Sequence, residues 1–226
     1  MKQSSYDWVL FDLDETLLDF PVAKALEQTL QCYGLVPTAA KMAEYQALNH
    51  RLWQQYNSGE IDAAHLQQTR FSLFAEQVDV APMAINDTFL QQIIALSMPL
   101  EGVVETLQVF QQRGVRMGII TNGFSLPQRG RLSKLGWSEW FEPLVISDEV
   151  HVTKPAAAIF QHALDLMGQP SPARVLMVGD NPKTDIAGAA AQGLATCWYN
   201  PQHHDTPCEA THQIHHFAQL SPIVLG

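Results

Sequence analysis

The sequence predicts an α/β fold: a parallel sheet with helices on both faces, interrupted after its first strand by a block of helices. Three observations support this. Residues 8–11 form an apolar run with the length and composition of a strand buried on both faces. Only helical periodicity follows over residues 21–97. From residue 103 onward helix-like and strand-like segments alternate, as in βαβ units, so we expect the first strand to join the later ones in one sheet.

The composition is that of an ordinary globular protein with a large negative charge. Of its 226 residues, 46% are hydrophobic and 16% are charged, so the chain can bury a sizeable core. The 13 basic and 23 acidic residues give a net charge of −10. This balance argues against nucleic acid or an anionic membrane as a partner. An anionic small molecule would need a metal ion and a few local cations to hold it.

Cysteine usage and the N-terminal sequence predict a cytoplasmic, reduced protein. Cys32, Cys197 and Cys208 are too widely spaced for a disulfide framework or a CxxC metal motif. Residues 1–7 lack the features of a signal peptide, and no apolar run reaches transmembrane length. We therefore expect neither secretion nor membrane insertion.

Helical periodicity defines the block between the first strand and the alternating region. Thr38 and Asp62 can each cap a helix, and Gly34 and Gly59 stand where helices would end. The apolar spacing predicts helices at about 22–33, 38–59, 62–78 and 85–94. We expect these helices to share apolar faces as a unit of their own.

The second half of the chain has the regular alternation of an α/β sheet. Its predicted helices cover about 103–113, 127–136, 156–167 and 184–192. Its predicted strands cover 115–120, 144–146, 174–178 and 195–199. The tail that follows contains several histidines, but Pro201 and Pro207 mark it as a loop, and its spacing matches no familiar zinc pattern.

Polar side chains follow the apolar strands of the predicted sheet. Asp12 and Asp14, at i and i+2 after the first strand, would project to the same side of an extended backbone. Two carboxylates so close together repel unless a cation or a shared proton lies between them. Each such position alone has an ordinary explanation as a turn, a helix cap or a solvated side chain. These ordinary explanations do not account for the placement of all of these polar residues at one edge of the sheet. The residues are Asp12, Asp14, Thr16, Thr121, Asn122, Lys154, Asp180 and Asp185.

These residue types together suit phosphoryl transfer. Carboxylate oxygens from Asp12 and Asp180 are the ligands that Mg²⁺ prefers. A carboxylate can attack phosphorus to form an aspartyl-phosphate, while a second acid protonates the leaving oxygen and later deprotonates the attacking water. The Thr121 hydroxyl and the Lys154 ammonium can hold the phosphoryl oxygens, on which charge accumulates.

Four motifs, in order, resemble those of the haloacid dehalogenase (HAD) superfamily. They are DLDET at 12–16, TNG at 121–123, KP at 154–155 and GDNPKTD at 179–185. The resemblance implies a Rossmann-like core formed by residues 1–17 and 99–226. It also implies a helical cap of the C1 type, residues 18–98, inserted after the first motif.

The resemblance also implies a role for each motif residue. Asp12 would be the nucleophile and Asp14 the general acid and base. Mg²⁺, for which Mn²⁺ could substitute, would be held by Asp12, the backbone carbonyl of Asp14 and Asp180, with Asp185 in the outer shell. The phosphoryl group would be held by Thr121 and Lys154, both also catalytic, with help from Asn122.

Further segments resemble bacterial pyrimidine 5′-nucleotidases, which act on dUMP, UMP and dTMP. These segments are YNSG at 56–59, TNGF at 121–124, VISDEV at 145–150 and GLATCW at 193–198. The resemblance implies a Mg²⁺-dependent hydrolase of nucleoside 5′-monophosphates that works through an aspartyl-phosphate. We expect a small-molecule phosphate ester as partner and a monomer or small homo-oligomer. Phe20 and Phe124, each shortly after a motif, are candidates to stack on the base.

Three alternatives stay open or are disfavoured at this point. A phosphatase of FMN or a sugar phosphate, or a phosphomutase, would carry the same core motifs, because the cap selects the leaving group. A haloacid dehalogenase is disfavoured, because dehalogenases of this superfamily lack an acid at the position of Asp14. A phospho-receiver module is disfavoured, because the helical block at 21–97 has no place in one.

Overall fold

The computed structural model describes residues 5–226, which form two compact units. The first unit contains the chain up to Phe20 together with Met98–Gly226, and the second is Pro21–Ser97. The second unit is therefore an insertion between the first and second strands of the first. Within residues 5–226 no helix is long and apolar enough to cross a membrane.

The inserted unit is entirely helical, as its periodicity predicts. Its helices, all within the described range, are α1 (Val22–Cys32), α2 (Ala39–Asn57), α3 (Ala63–Thr69), α4 (Ser72–Val78) and α5 (Pro82–Leu96). Both predicted caps are confirmed: the side chain of Thr38 accepts a hydrogen bond from the amide of Lys41, and that of Asp62 from the amide of His65.

The prediction of one helix over 62–78 is wrong, because the chain breaks into α3 and α4. The break coincides with Arg70, whose guanidinium is buried in this unit, donates to Oδ1 of Asn86 and lies over the rings of Phe71 and Phe89. A continuous helical pattern does not reveal that a charged side chain turns inward.

The first unit contains a parallel sheet of six strands within the described residues. They are β1 (Trp8–Phe11), β2 (Arg116–Thr121), β3 (Leu144–Ile146), β4 (Val175–Gly179), β5 (Ala195–Tyr199) and β6 (His212–Ile214), in the order β3-β2-β1-β4-β5-β6. Strand β1 lies at the centre, between β2 and β4. The order reverses there, and the carboxyl ends of strands beside such a reversal are where ligands bind in open α/β sheets.

Side chains of β1 alternate between two apolar layers, which confirms the prediction of a strand buried on both faces. Val9 and Phe11 pack in one layer, and Trp8 and Leu10 in the other. The first layer includes residues of α6 (Val103–Gln112), α7 (Ser125–Lys134) and the last helix, α11 (Leu220–Leu225). The second layer includes residues of α9 (Ala157–Leu166) and α10 (Ala187–Ala190), and the short α8 (Ser147–Val150) packs against it through Val150. The predicted α/β fold is confirmed.

The interpretation of the tail as a loop is only partly right. Residues His212–Ile214 form edge strand β6, and α11 follows. A strand of three residues is too short to show an alternating apolar pattern in the sequence. Reciprocal hydrogen bonds between Thr196 and Thr211 join the start of β6 to β5. The tail histidines support this packing: His212 bonds to the hydroxyl of Tyr6, and His215 to the carbonyl of Asn200.

Candidate active site

Lys154 lies at the centre of the polar groups that the sheet brings together. Its Nζ lies 2.6 Å from Oδ1 of Asp12 and 2.7 Å from Oδ1 of Asp185, and it donates to the carbonyl of Ile120 at 2.7 Å. Its side chain is only 1% exposed. Residues far apart in the sequence therefore meet around one buried ammonium group.

Three carboxylates lie together at this site, and two of them, Asp12 and Asp185, contact the ammonium group. Asp12, Asp180 and Asp185 can each direct one oxygen to a common site, with these oxygens within 4.8 Å of one another. Asp12 and Asp185 are buried and Asp180 is partly exposed. One ammonium cannot neutralise three carboxylates, so the cluster carries excess negative charge.

Burial first, and the repulsion between the carboxylates second, shift the pKa values of the cluster. Burial raises the pKa of Asp12 well above its ordinary range, against the opposing effect of Lys154, and the neighbouring carboxylates raise it further. Burial, with the charge of Asp185, raises the pKa of Asp180 to about 7. Burial alone would lower the pKa of Lys154. The negative charges of Asp12 and Asp185 outweigh this effect and raise the pKa, so Lys154 is protonated. A further cation would relieve the excess charge.

The donor set fits a hard divalent cation. Carboxylate oxygens are the ligands that Mg²⁺ selects, and the strain of an undercompensated cluster is removed when such an ion binds. Asp12, Asp180 and Asp185 can each offer one carboxylate oxygen to such an ion. The acidic cluster predicted from the sequence is thus assembled.

Two residues fix the position of Asp180. Its amide donates to Oγ1 of Thr16 at 3.0 Å, and its carbonyl accepts from the indole Nε1 of Trp198 at 2.8 Å. Trp198 lies on β5 beside Gly179, so this bond spans adjacent strand ends. The sequence predicted Thr16 at this edge, but it gave no reason to select Trp198 as a partner of the acidic loop.

Thr121 and Asn122 lie at the end of β2 as predicted. The Thr121 hydroxyl accepts a bond from Nε2 of Gln128 at 3.0 Å. Asn122 binds the backbone of Lys154 in both directions: its Nδ2 donates to the carbonyl at 3.0 Å, and its Oδ1 accepts from the amide at 2.7 Å. Asn122 therefore positions the loop that carries Lys154.

Asp14 stands apart from the acidic cluster and has its own partners. Oδ1 lies 2.5 Å from Nη2 of Arg131, and Oδ2 accepts from Nε2 of Gln128 at 3.1 Å. The Asp14 side chain is 22% exposed, whereas that of Arg131 is 1% exposed. Gln128 and Arg131 are not among the site residues that the sequence predicts. The one signal in the sequence is weak: they share the i, i+3, i+4 stripe of α7 with the core residue Leu132, although their polarity suggests an exposed face.

A family of known hydrolases matches the chain over the residues that form this site. The haloacid dehalogenase-like hydrolase family matches the chain over residues 6–193. That span includes all four motifs. The chain belongs to this family. The resemblance that the motifs predict is confirmed, and the chain is a HAD phosphatase, a phosphoric monoester hydrolase.

Two pyrimidine 5′-nucleotidases are similar to this chain over most of their length. The pyrimidine 5′-nucleotidase YjjG of Escherichia coli is 42% identical over 202 residues, 89% of this chain and 89% of that protein. The pyrimidine 5′-nucleotidase PynA of Streptococcus pneumoniae is 30% identical over 223 residues, 95% of this chain and 93% of that protein. Among HAD phosphatases, the chain is therefore close to the pyrimidine 5′-nucleotidases.

Solved HAD structures share the fold. The putative HAD-hydrolase YfnB of Bacillus subtilis, determined bound to magnesium, is 28% identical with a TM-score of 0.82, covering 98% of this chain and 99% of that one. The 2-haloacid dehalogenase of Pseudomonas syringae is 25% identical with a TM-score of 0.73, covering 96% and 97%. The fold of this phosphatase thus also occurs in a haloacid dehalogenase, and the site residues must distinguish the two chemistries.

Proposed function

We propose that the chain is a Mg²⁺-dependent phosphatase that hydrolyses pyrimidine nucleoside 5′-monophosphates, with dUMP, UMP and dTMP as substrates. The observation that carries the proposal is the buried Asp12 in contact with Lys154, beside two further carboxylates. The similarity to two pyrimidine 5′-nucleotidases supports the substrate class. We assign to the helical unit Pro21–Ser97 the role of the predicted cap, residues 18–98, which selects the leaving group.

Asp12 acts as the nucleophile. Its free carboxylate oxygen attacks phosphorus, the bond from phosphorus to the ester oxygen breaks, and an aspartyl-phosphate forms. Asp12, the backbone carbonyl of Asp14 and Asp180 would hold Mg²⁺, with Asp185 in support, and the bound ion would supply positive charge that offsets the repulsion between carboxylate and phosphate.

Lys154 and Thr121 hold the phosphoryl oxygens during transfer, and Asn122 keeps the Lys154 loop in place. The ammonium group stabilises the negative charge that builds on those oxygens. Because Lys154 also holds Asp12 at 2.6 Å, one side chain orients the nucleophile and binds the group that it attacks. This arrangement places both reactants against a common support.

Asp14 acts as general acid and then as general base. It gives a proton to the departing 5′ oxygen, so that the nucleoside leaves as an alcohol. It then takes a proton from the water that attacks the aspartyl-phosphate, which releases inorganic phosphate and regenerates the Asp12 carboxylate. Its position outside the acidic cluster suits a group that must exchange a proton with substrate and water.

The test is phosphate release from dUMP, with and without EDTA, by the wild type and by Asp12→Asn. We expect chelation and the substitution each to abolish turnover. Asp7→Asn is the matched control, because Asp7 precedes the same strand at its other end and pairs with Arg174. Full activity in chelator, or in the Asp12 variant, would contradict the mechanism.

A substrate panel tests the nucleotide assignment separately. It compares dUMP, UMP and dTMP with purine nucleotides, FMN and hexose phosphates under identical conditions. We expect the pyrimidine nucleotides to have the highest kcat/KM. Equal rates across nucleotides and hexose phosphates would remove the assignment as a nucleotidase while leaving the phosphatase chemistry intact.

A further inference from the structure

Two buried polar side chains on α7 hold the carboxylate of Asp14 from the side of the core. Gln128 is 2% exposed and Arg131 is 1% exposed, and they lie at i and i+3 on the same helix face. Long polar side chains are rarely buried unless they are paired, so these two positions need an explanation beyond packing.

Arg131 is a buried cation whose charge is balanced by Asp14. Its Nη2 lies 2.5 Å from Oδ1 of Asp14, and its Nε donates to the carbonyl of Pro127 at 3.3 Å. Its guanidinium lies over the ring of Phe20, 5.4 Å from the centroid, and Nη1 has no hydrogen-bond partner among the described residues. An arginine that leaves one nitrogen unsatisfied in the core is costly for stability, so packing alone does not account for it.

Gln128 connects Asp14 to the predicted phosphate-binding hydroxyl. Its Nε2 donates to Oδ2 of Asp14 at 3.1 Å and to Oγ1 of Thr121 at 3.0 Å, while its Oε1 accepts from Nη2 of Arg131. Gly123 leaves room for this amide, because a Cβ there would lie 2.3 Å from Nε2. The glycine of the TNG motif is therefore explained by Gln128.

We infer that Gln128 and Arg131 are positioning residues that fix the orientation of the Asp14 carboxylate for proton transfer to and from the ester oxygen. The inference rests on the proposed function, in which Asp14 is the general acid and base. Arg131 holds one carboxylate oxygen and Gln128 the other, so the side-chain torsions of Asp14 are fixed. Each oxygen keeps a second lone pair for the proton. Proton transfer requires heavy atoms within about 2.6–3.2 Å, so a freely rotating carboxylate would lose most of its catalytic effect.

The test compares two leaving groups. The nucleoside of dUMP needs a proton from Asp14 to leave, whereas p-nitrophenolate leaves p-nitrophenyl phosphate without one, as Asp12 attacks and the phosphorus–oxygen bond breaks. The variants are Arg131→Met and Gln128→Leu. Arg129→Met is the matched control, because Arg129 lies on the same helix but is 54% exposed and pairs with Glu149.

For both variants we expect the rate of nucleoside release from dUMP to fall about 100-fold, the lower end of a general acid's contribution. The first-turnover burst of p-nitrophenolate should change less than about threefold, since that step needs no proton. Steady-state turnover of the same ester should fall, because the second step needs Asp14 as base. Arg131→Lys, which keeps the charge, should recover part of the loss. An equal slowing of the burst and of dUMP hydrolysis, or no change in either, would overturn the inference.

A double-mutant cycle tests the contact without depending on the substrate. The melting temperatures of Asp14→Asn, Arg131→Met and the double variant should be non-additive, because the first substitution leaves Arg131 buried without its counter-charge. Additive changes would overturn the pairing. If the wild type turns over p-nitrophenyl phosphate but not dUMP, the nucleotide assignment fails. An alkyl phosphate that the enzyme does hydrolyse then replaces dUMP in the comparison with the p-nitrophenolate burst. The two failures therefore give different results.

Discussion

The carboxylate of Asp185 occupies the space that a side chain on Gly179 would need. A Cβ on Gly179 would lie 2.3 Å from Oδ2 of Asp185 and 2.5 Å from its Cγ. Asp185 has no freedom to withdraw, because Oδ1 lies 2.7 Å from Nζ of Lys154 and Oδ2 accepts from the amide of Asn181 at 3.0 Å. The glycine at the end of β4 is thus required by the acidic cluster.

We predict that Gly179→Ala weakens Mg²⁺ binding by about 10- to 100-fold, the usual effect of displacing a group that supports metal ligands. Isothermal titration of the metal-free protein measures this affinity. Gly123→Ala is the matched control, because its Cβ would meet Gln128 instead of the acidic cluster. It should keep the Mg²⁺ affinity of the wild type, and equal affinities for wild type and Gly179→Ala would contradict the prediction.

We predict that Lys154→Met destabilises the metal-free protein by about 3–5 kcal/mol, because the substitution leaves buried carboxylates without their counter-charge. The free energy of unfolding in urea measures the effect. Lys24→Met, at an exposed position on α1, serves as the control and should change stability by less than about 0.5 kcal/mol. Similar stabilities for the two variants would show that the ammonium does not balance the cluster.

The sequence was sufficient to predict strands β1 to β5 and the polar residues that follow them. An apolar strand followed by acidic residues combines two local signals, and parallel strands bring such ends together. Asp12, Asp180 and Lys154 could therefore be placed at one site without knowledge of side-chain conformations.

The supporting residues could not be predicted in the same way. Whether Gln128 and Arg131 point inward depends on the packing of α7 against the sheet, and their polarity alone suggests an exposed face. The helix break at Arg70 was not predicted for the same reason, because a buried arginine looks like a surface residue in the sequence. Strand β6 escaped detection because a three-residue edge strand has too short a period.

We predict that the stability of the metal-free wild type, measured relative to Asp180→Asn, falls as the pH rises from about 4 to about 7. Burial raises the folded-state pKa of Asp180 from 3.8 to about 7. Below the unfolded pKa both states hold the proton, and the stabilising effect is complete. Between about pH 4 and pH 7 the unfolded chain releases its proton first, so roughly 4 kcal/mol is lost across that window.

Urea unfolding from pH 4 to pH 8 in EDTA measures this difference. The asparagine variant lacks the titrating group, so the gap between it and the wild type should widen to about pH 7 and then stay constant. Saturating Mg²⁺ should restore stability to the wild type at pH 8, by about 2.7 kcal/mol at a hundred times the Kd. A gap that does not depend on pH would contradict the raised pKa.

We predict that Trp198→Phe weakens Mg²⁺ binding about tenfold with little loss of packing. The ring stays on β5 beside Gly179, but the indole N–H that donates to the carbonyl of Asp180 at 2.8 Å is removed. Loss of one bond to a partly buried carbonyl should lower the free energy of unfolding by about 1 kcal/mol. The larger effect on the metal follows because the bond fixes the backbone of a proposed ligand.

Trp137→Phe is the control for this last substitution. Trp137 is also buried, but it stacks on Trp140 in the apolar layer that includes α6 and α7. It should lose a similar amount of packing area while its Mg²⁺ affinity, measured by titration calorimetry, stays within twofold of the wild type. If both variants bind the ion equally well, the indole bond has no part in holding the acidic loop. If only Trp198→Phe loses affinity, a residue of β5 helps to position the metal ligand at the end of β4.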